Sequence, residues 1–345
     1  MYQKSPKFDF NDITIVPFLL TDISSRSEVN DKNNDGSLPI FVSPMDTVVS
    51  EENYKTFLNL GLEVCTPRGL MAQDKRVFTS ISLDEFEDLI LWYDELTYVE
   101  EMRILVDIAN AHMGRLYDNC RRFLAIRKSP KHLLMIGNVA NPSTYELYAK
   151  LGVDYIRVGI GGGQACLTSA NTGVHYPMAS LISECHEIKK KNGYNTKIIA
   201  DGGFKNYDEI IKALALGADY VMLGSVLNKC LESCSDTYLL KKIKLNKKMS
   251  DYIWDNFPSS RKYFYKKFRG MSTKEVQKKW GKKKLTTSEG ISKFNKVEYR
   301  LDKWVENFRD YLKSAMSYTD SKDLDTFKNS QYVFITENAL KRYDK

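Results

Sequence analysis

From about residue 38 to residue 225, short apolar runs rich in β-branched residues alternate with helix-like stretches. LPIFVSP reads as a strand and EENYKTFLNLG as the helix after it. LEVCTP, a helix around 83–98, RILVDIA, a helix around 113–128 and HLLMIGNV continue the pattern. PSTYELYAKLG, DYIRVG, PMASLISECHEIKKKNG, TKIIADGG, YDEIIKALALG and DYVMLGS complete it. The strand segments are continuous apolar runs, which suits strands buried on both faces of a parallel sheet. Several helices close at a glycine, at Gly61, Gly152, Gly193 and Gly217, where a left-handed residue ends the helix without steric cost. So many β/α units without a break predict a closed (β/α)8 TIM barrel rather than an open doubly wound sheet.

In such a barrel the chemistry sits at the C-terminal ends of the strands. Polar or glycine-rich residues recur there: Ser43-Pro44-Met45-Asp46, Asp107, Gly137-Asn138, Asp201-Gly202-Gly203 and Gly224-Ser225. The stretch DYIRVGIGGGQACLT (154–168) is the most pointed of them. A strand ending in a glycine-rich turn brings backbone close to a ligand, and Cys166 follows the last glycine of that turn. Cys166 is therefore the first candidate for a covalent nucleophile, whereas Cys65, Cys120 and Cys185 read as small buried hydrophobes. Gly202, Gly203, Gly224 and Ser225 lie after the last two strands, the usual phosphate position in barrels, where backbone N–H groups meet an anion.

The whole chain, 1–345, reads as one barrel domain. Residues 235–268 are basic and aromatic with no clear strand, and the stretch at about 235–295 reads as a mobile loop or flap. A C-terminal helix and tail follow at about 296–345. The net charge of +7 comes largely from this last third. It reads as a solvated surface with a field for anions, so nucleic acid is not the expected partner. The 6 cysteines show no CxxC spacing, which argues against zinc and for reduced thiols. With no apolar signal core and no segment of membrane-spanning length, a soluble, cytoplasmic protein is expected.

The ordered set SRSEV (25–29), SPMDTV (43–48), GNV (137–139), VGIGGGQACLT (158–168), TGVHYP (172–177), ADGG (200–203), VMLGS (221–225), RGMS (269–272) and SEG (288–290) resembles the inosine monophosphate dehydrogenase and guanosine monophosphate reductase family. The resemblance runs from roughly residue 8 to 340. It implies a TIM barrel assembled as a homotetramer. The CBS-domain pair of the dehydrogenases is absent, because only a helix-length segment separates Thr66 from the strand at Arg103. By this resemblance the substrate is a purine mononucleotide, and Cys166 attacks carbon 2 of the purine to form a thioimidate. Thr168 and Glu289 match the pair that moves protons at the leaving group. Ser43, Met45, Asp201, Gly202, Gly203, Gly224, Ser225, Gly270 and Met271 fall at substrate-binding positions, with Asp201 accepting ribose hydroxyls. Asp107, Asn110 and Asn138 fall where a nicotinamide cofactor is contacted, and Arg68 stands where the family has a lysine. Gly161, Gly163 and Cys166 match carbonyl positions for a monovalent cation such as potassium. Gln164 replaces a phosphate-binding serine of the family.

Two activities share this machinery. The dehydrogenase oxidises inosine monophosphate with NAD and hydrolyses the thioimidate using an Arg–Tyr pair in the flap. Between Met271 and Glu289 this chain has neither Arg nor Tyr. The sequence therefore favours an NADPH-dependent reductase that releases ammonia from guanosine monophosphate, with NADH as the other donor considered. The alternatives are the dehydrogenase itself, or a non-catalytic nucleotide- or RNA-binding barrel motivated by Gln164, Pro67 and the basic segment.

Overall fold

A computed structural model of the chain describes residues 6–95, 101–279, 281 and 287–343. Eight parallel strands close into a barrel. They are β1 (Ile40–Val42), β2 (Glu63–Thr66), β3 (Phe78–Ile81), β4 (Met102–Asp107), β5 (His132–Val139), β6 (Tyr155–Val158), β7 (Lys197–Asp201) and β8 (Tyr220–Leu223). Each pairs in parallel with the next, and β1 closes onto β8 with Ile40 opposite Val221. This is the barrel that the β/α alternation predicts.

β3 is the strand the alternation does not reveal. Its Phe78 and Ser80 are buried, while Thr79 and Ile81 are only partly so, and two hydroxyl residues dilute the apolar run. The segment between Thr66 and Arg103, expected to hold a helix alone, therefore contributes β3 as well as the helix Leu83–Trp92. That helix opens on a Ser82/Glu85 capping box and ends earlier than expected, passing into a single 3-10 turn at Tyr93–Glu95. Residues 96–98 of the expected helix lie outside the described residues.

Aromatic side chains fill the barrel. Phe41, Phe78, Tyr155 and Tyr220 pack with ring centroids 4.9–6.1 Å apart. Phe78, Tyr155 and Tyr220 each stand first in their strands, so they plug the N-terminal end and leave the C-terminal end open. Burying each such ring contributes about 1.5–3 kcal/mol. Gly61, Gly152, Gly193 and Gly217 all adopt positive φ at helix ends, as expected.

Asp219, just before β8, ties the lower rim together. It accepts bonds from Lys189 at 2.6 Å, from the Ile198 amide at 2.8 Å and from Lys328 at 2.9 Å. Burial pushes its carboxyl up, but Lys189, Lys328 and Lys197 outweigh burial and hold it below the usual carboxylate range. Because its folded pKa is depressed, its stabilisation is complete above about pH 4 and fades as pH falls toward the folded value. Asp219→Asn should cost about 3 kcal/mol at pH 7. Thermal melts of both proteins should show that gap narrowing below about pH 4.

Among its described residues, the segment at 235–295 carries a sheet where a loop is expected. Thr237–Leu239 (β9), Ile243–Leu245 (β10), Phe264–Arg269 (β11) and Ser292–Lys296 (β12) form a four-stranded antiparallel sheet in the order β10-β9-β11-β12. FYKKFR alternates as a half-buried strand should, but its central inward residue is Lys266, which hides the pattern. Lys266 donates to the carbonyls of Ser233 at 2.8 Å and Ser235 at 2.9 Å, and burial lowers its pKa to about 8. Asn228, fully buried, donates to the carbonyls of Thr47 and Lys267 and accepts from Asn295, pinning the sheet to the barrel. The C-terminal helix spans Leu301–Tyr318, and Tyr332–Phe334 pairs antiparallel with Ile13–Ile15. Among the described residues, no helix is long and apolar enough to cross a membrane.

Candidate active site

The open end of the barrel holds a cavity of about 530 Å³, within the usual size of small-molecule sites. Ser43, Met45, Gly224 and Ser225 line one side, and Asp201, Gly202 and Gly203 another. Gly163, Cys166, Thr168, Glu289, Gly270 and Met271 close it from the glycine loop and the flap. Arg68, Asp107 and Asn138 complete the wall. Two of the expected residues stand apart. Asn110 is exposed and caps its own turn, accepting from the His112 amide at 3.1 Å, so it does not reach the cavity. Gly161 is not among the residues that line the cavity.

The glycine loop follows β6. Gly161, at φ +79°, sits so close to Ser169 that an added Cβ would fall 2.8 Å from the Ser169 amide nitrogen, so no side chain fits. The Gly161 carbonyl accepts from the Ser169 hydroxyl at 2.9 Å, and the Gly163 carbonyl from the Cys166 amide at 2.8 Å. Two of the carbonyls expected to bind a cation are thus already engaged, each with one lone pair left. Among the described residues, no cluster of three or more His, Cys, Asp or Glu could hold a metal ion.

Backbone pairing brings the flap to the loop. The Leu167 amide donates to the Glu289 carbonyl at 2.7 Å, and the Ile291 amide to the Ala165 carbonyl at 3.1 Å. Gly270 packs on the other side of Gly290. A Cβ there would come within 2.5 Å of the Ala165 carbonyl oxygen, which is why RGMS carries glycine at this position. The clamp sets three side chains in line. The Cys166 thiol donates to Thr168 Oγ1 at 3.3 Å, and that hydroxyl donates to Glu289 Oε2 at 2.5 Å.

The other thiols are placed differently. Cys65, Cys120, Cys185 and Cys230 are buried, and burial pushes all four up. Cys234 is pushed up to about 12 by burial. Of the six, Cys166 alone lines the cavity.

The site also depends on residues to which the sequence reading gave no place in the site. Arg157 on β6 is buried and donates to Asp107 Oδ1 at 2.6 Å and to Asp201 Oδ2 at 2.7 Å. Burial works against its charge, but the two carboxylates outweigh it and raise its pKa. Asn138 adds a bond to Asp201 Oδ2 at 2.7 Å. Asp201 thus spends one oxygen on the protein, while Oδ1 accepts no bond from the described residues. The signal for Arg157 was present in the sequence: a lone charge inside the apolar strand YIRV requires buried partners. On the flap, Arg269 donates to Asp46 at 2.6 Å and Lys279 to the same oxygen at 3.0 Å. Burial alone would raise the Asp46 carboxyl, but these two cations lower it. Phe268 and Gln277 also line the cavity from the flap.

Residues 66–344 match the family described as IMP dehydrogenase / GMP reductase domain. A protein named GMP reductase from Caenorhabditis elegans is 28% identical over 99% of this chain and 95% of its own length. A GMP reductase from Phytophthora infestans is 30% identical over 83% of this chain and 78% of its own length. GMP reductase 2 of Bos taurus is 27% identical over 96% of this chain and 95% of its own length. With the closed barrel and the cavity at its open end, these matches make the chain an enzyme of the IMP dehydrogenase / GMP reductase family.

Proposed function

We propose that this protein is a guanosine monophosphate reductase, converting guanosine monophosphate to inosine monophosphate and ammonia with a nicotinamide donor, NADPH rather than NADH. The observation that carries the reading is the line from Cys166 through Thr168 to Glu289 on the cavity wall. Each bond in that line points from thiol to hydroxyl to carboxylate. A proton can therefore leave the sulfur and arrive on Glu289 as the sulfur attacks carbon 2. Ammonia leaves badly as an amide anion, and the protonated Glu289 is the general acid that the departing nitrogen needs. In balance, the C2–S bond forms, the C2–N bond breaks with ammonia released, and a thioimidate remains on Cys166. Hydride then reaches carbon 2, the C2–S bond breaks, and the departing thiolate takes a proton from solvent to restore the thiol.

The cofactor, when bound, supplies that hydride. The residues suited to hold it are Arg68, Asp107 and Asn138, which bring charge and hydrogen-bonding groups to a wall with the apolar Ile108 and Ala109. Asn110 stands outside the cavity lining and is not included. The free Oδ1 of Asp201 suits a ribose hydroxyl. Gly202, Gly203, Gly224 and Ser225 suit the phosphate, and Ser43, Met45 and Met271 suit the nucleoside. A potassium ion would use the remaining lone pairs of the Gly161 and Gly163 carbonyls with that of Cys166, and no step is routed through it. Homotetrameric assembly rests on the family resemblance and cytoplasmic placement on the cysteine pattern that argues for reduced thiols, and both belong to the same proposal.

The flap favours reduction over hydrolysis. Between Met271 and Glu289 there is no Arg or Tyr to activate water. The relatives named above all carry the reductase name. The test is to incubate purified protein with guanosine monophosphate and NADPH and to follow loss of NADPH absorbance with ammonia release. Stoichiometric ammonia and inosine monophosphate are expected. NAD-dependent conversion of inosine monophosphate to xanthosine monophosphate without ammonia release would overturn the reading.

A further inference from the structure

The four-stranded sheet has a second face, which turns away from the barrel. Lys244, Tyr238, Tyr265 and Lys296 stand directly opposite one another in a row across β10, β9, β11 and β12. The adjacent row, Leu245, Thr237, Lys266 and Asn295, is buried throughout, so the first row belongs to the solvent side. Phe294, opposite Lys267 and two residues before Lys296, shares that outer face and is 38% exposed. Its ring meets the Tyr238 ring edge-on, with centroids 5.3 Å apart. None of these outer residues lines the barrel cavity.

In sequence the lysines of this segment read as a solvated surface; folded, they ring a cluster of aromatic side chains. The β9–β10 turn brings one more. Leu240 and Lys241 take φ of +55° and +61°, left-handed values that are costly for residues other than glycine. The Lys241 ammonium comes back over the face, 4.8 Å from the centroid of the Tyr265 ring. The four strands contain no aspartate or glutamate. Of Lys241, Lys244, Lys267 and Lys296, only Lys244 meets a carboxylate among the described residues, Asp236 at 2.8 Å. The face is therefore matched to an anion, and its rings say which kind. An acidic polypeptide would use the lysines alone, and a duplex keeps its bases inside its own stack. A single strand offers both phosphates and free base faces, and four-stranded sheets with exposed aromatic rings stack two or three such bases. We propose that this outer face binds single-stranded nucleic acid, with Phe294 and Tyr238 stacking on bases and Lys241, Lys267 and Lys296 contacting phosphates. The proposal is independent of the reaction at the barrel mouth.

Fluorescence anisotropy of the full chain tests it, with a labelled oligouridylate of about 12 nucleotides, an RNA duplex of the same length, and polyglutamate as a purely acidic chain. The single strand should bind more tightly than either of the others. Phe294→Leu keeps an apolar side chain but removes the aromatic face. It should weaken the oligouridylate about 5- to 100-fold and leave polyglutamate unchanged. Lys296→Ala should weaken both ligands, and the log–log salt slope of oligouridylate binding should become shallower by about 0.7. Thermal melts report whether each variant folds. Lys296 is exposed on the last strand, so Lys296→Ala carries the test even where Phe294→Leu melts early. No binding of the single strand, equal or tighter binding of the duplex or of polyglutamate, or a folded Phe294→Leu protein that binds the oligouridylate like wild type would overturn the assignment. So would variants that change only the self-association of the chain in analytical ultracentrifugation, because the face would then be a contact between copies.

Discussion

Replacing Cys166 with alanine should abolish turnover of guanosine monophosphate, lowering it by about 10⁴-fold or more, while nucleotide binding stays within a few-fold of wild type. The expectation follows from position. Cys166 is the only one of the six cysteines on the cavity wall, and its thiol is the first member of the line to Thr168 and Glu289. Without sulfur no covalent intermediate forms, and Thr168 and Glu289 have no proton to collect. The phosphate and nucleoside contacts lie on other strands and survive. Steady-state NADPH oxidation and calorimetry with guanosine monophosphate measure the two quantities separately. A variant that turned over at a substantial fraction of the wild-type rate would remove the nucleophile from the account.

Arg157→Leu should carry the largest stability loss, about 5 kcal/mol, because it strands buried carboxylates. Asp107 and Asp201 both bond Arg157, and their side chains are only 16% and 12% exposed. Leucine fills part of the volume but leaves two negative charges facing each other across the barrel mouth. Thermal unfolding should fall by roughly 10 °C. Activity should be lost even below that temperature, since Asp107, Asp201 and Asn138 all line the cavity that the arginine organises. Arg157→Lys should fall between the two, because an ammonium keeps the charge but cannot span both carboxylates with a planar fork.

The barrel was legible because its strands are buried on both faces and so read as apolar runs. Where burial was mixed, the reading failed. β3 has two hydroxyl residues among four, and β11 turns a lysine inward, so neither looks like a strand in isolation. Lys266 is tolerated because two carbonyls receive it, a compensation that only the folded chain supplies. The site was legible through its glycines: Gly161 and Gly270 are required by close approach, and such positions stand out in a sequence. Arg157 was only partly legible: a lone charge in an apolar strand calls for buried partners but does not say that they are Asp107 and Asp201. Asn110 stands outside the cavity lining. Its position after a strand suggests the cavity, but its side chain caps the turn instead.

The account depends on a carbon–sulfur bond forming at one residue. Intact-protein and peptide mass spectrometry, after incubation with guanosine monophosphate alone, tests it directly. The expected result is a mass increase equal to guanosine monophosphate less ammonia, carried on the peptide containing Cys166, with ammonia released and the adduct discharged to inosine monophosphate when NADPH is added. An adduct on any other cysteine, or turnover with no adduct on Cys166 under conditions that trap it in the absence of reductant, would contradict the account.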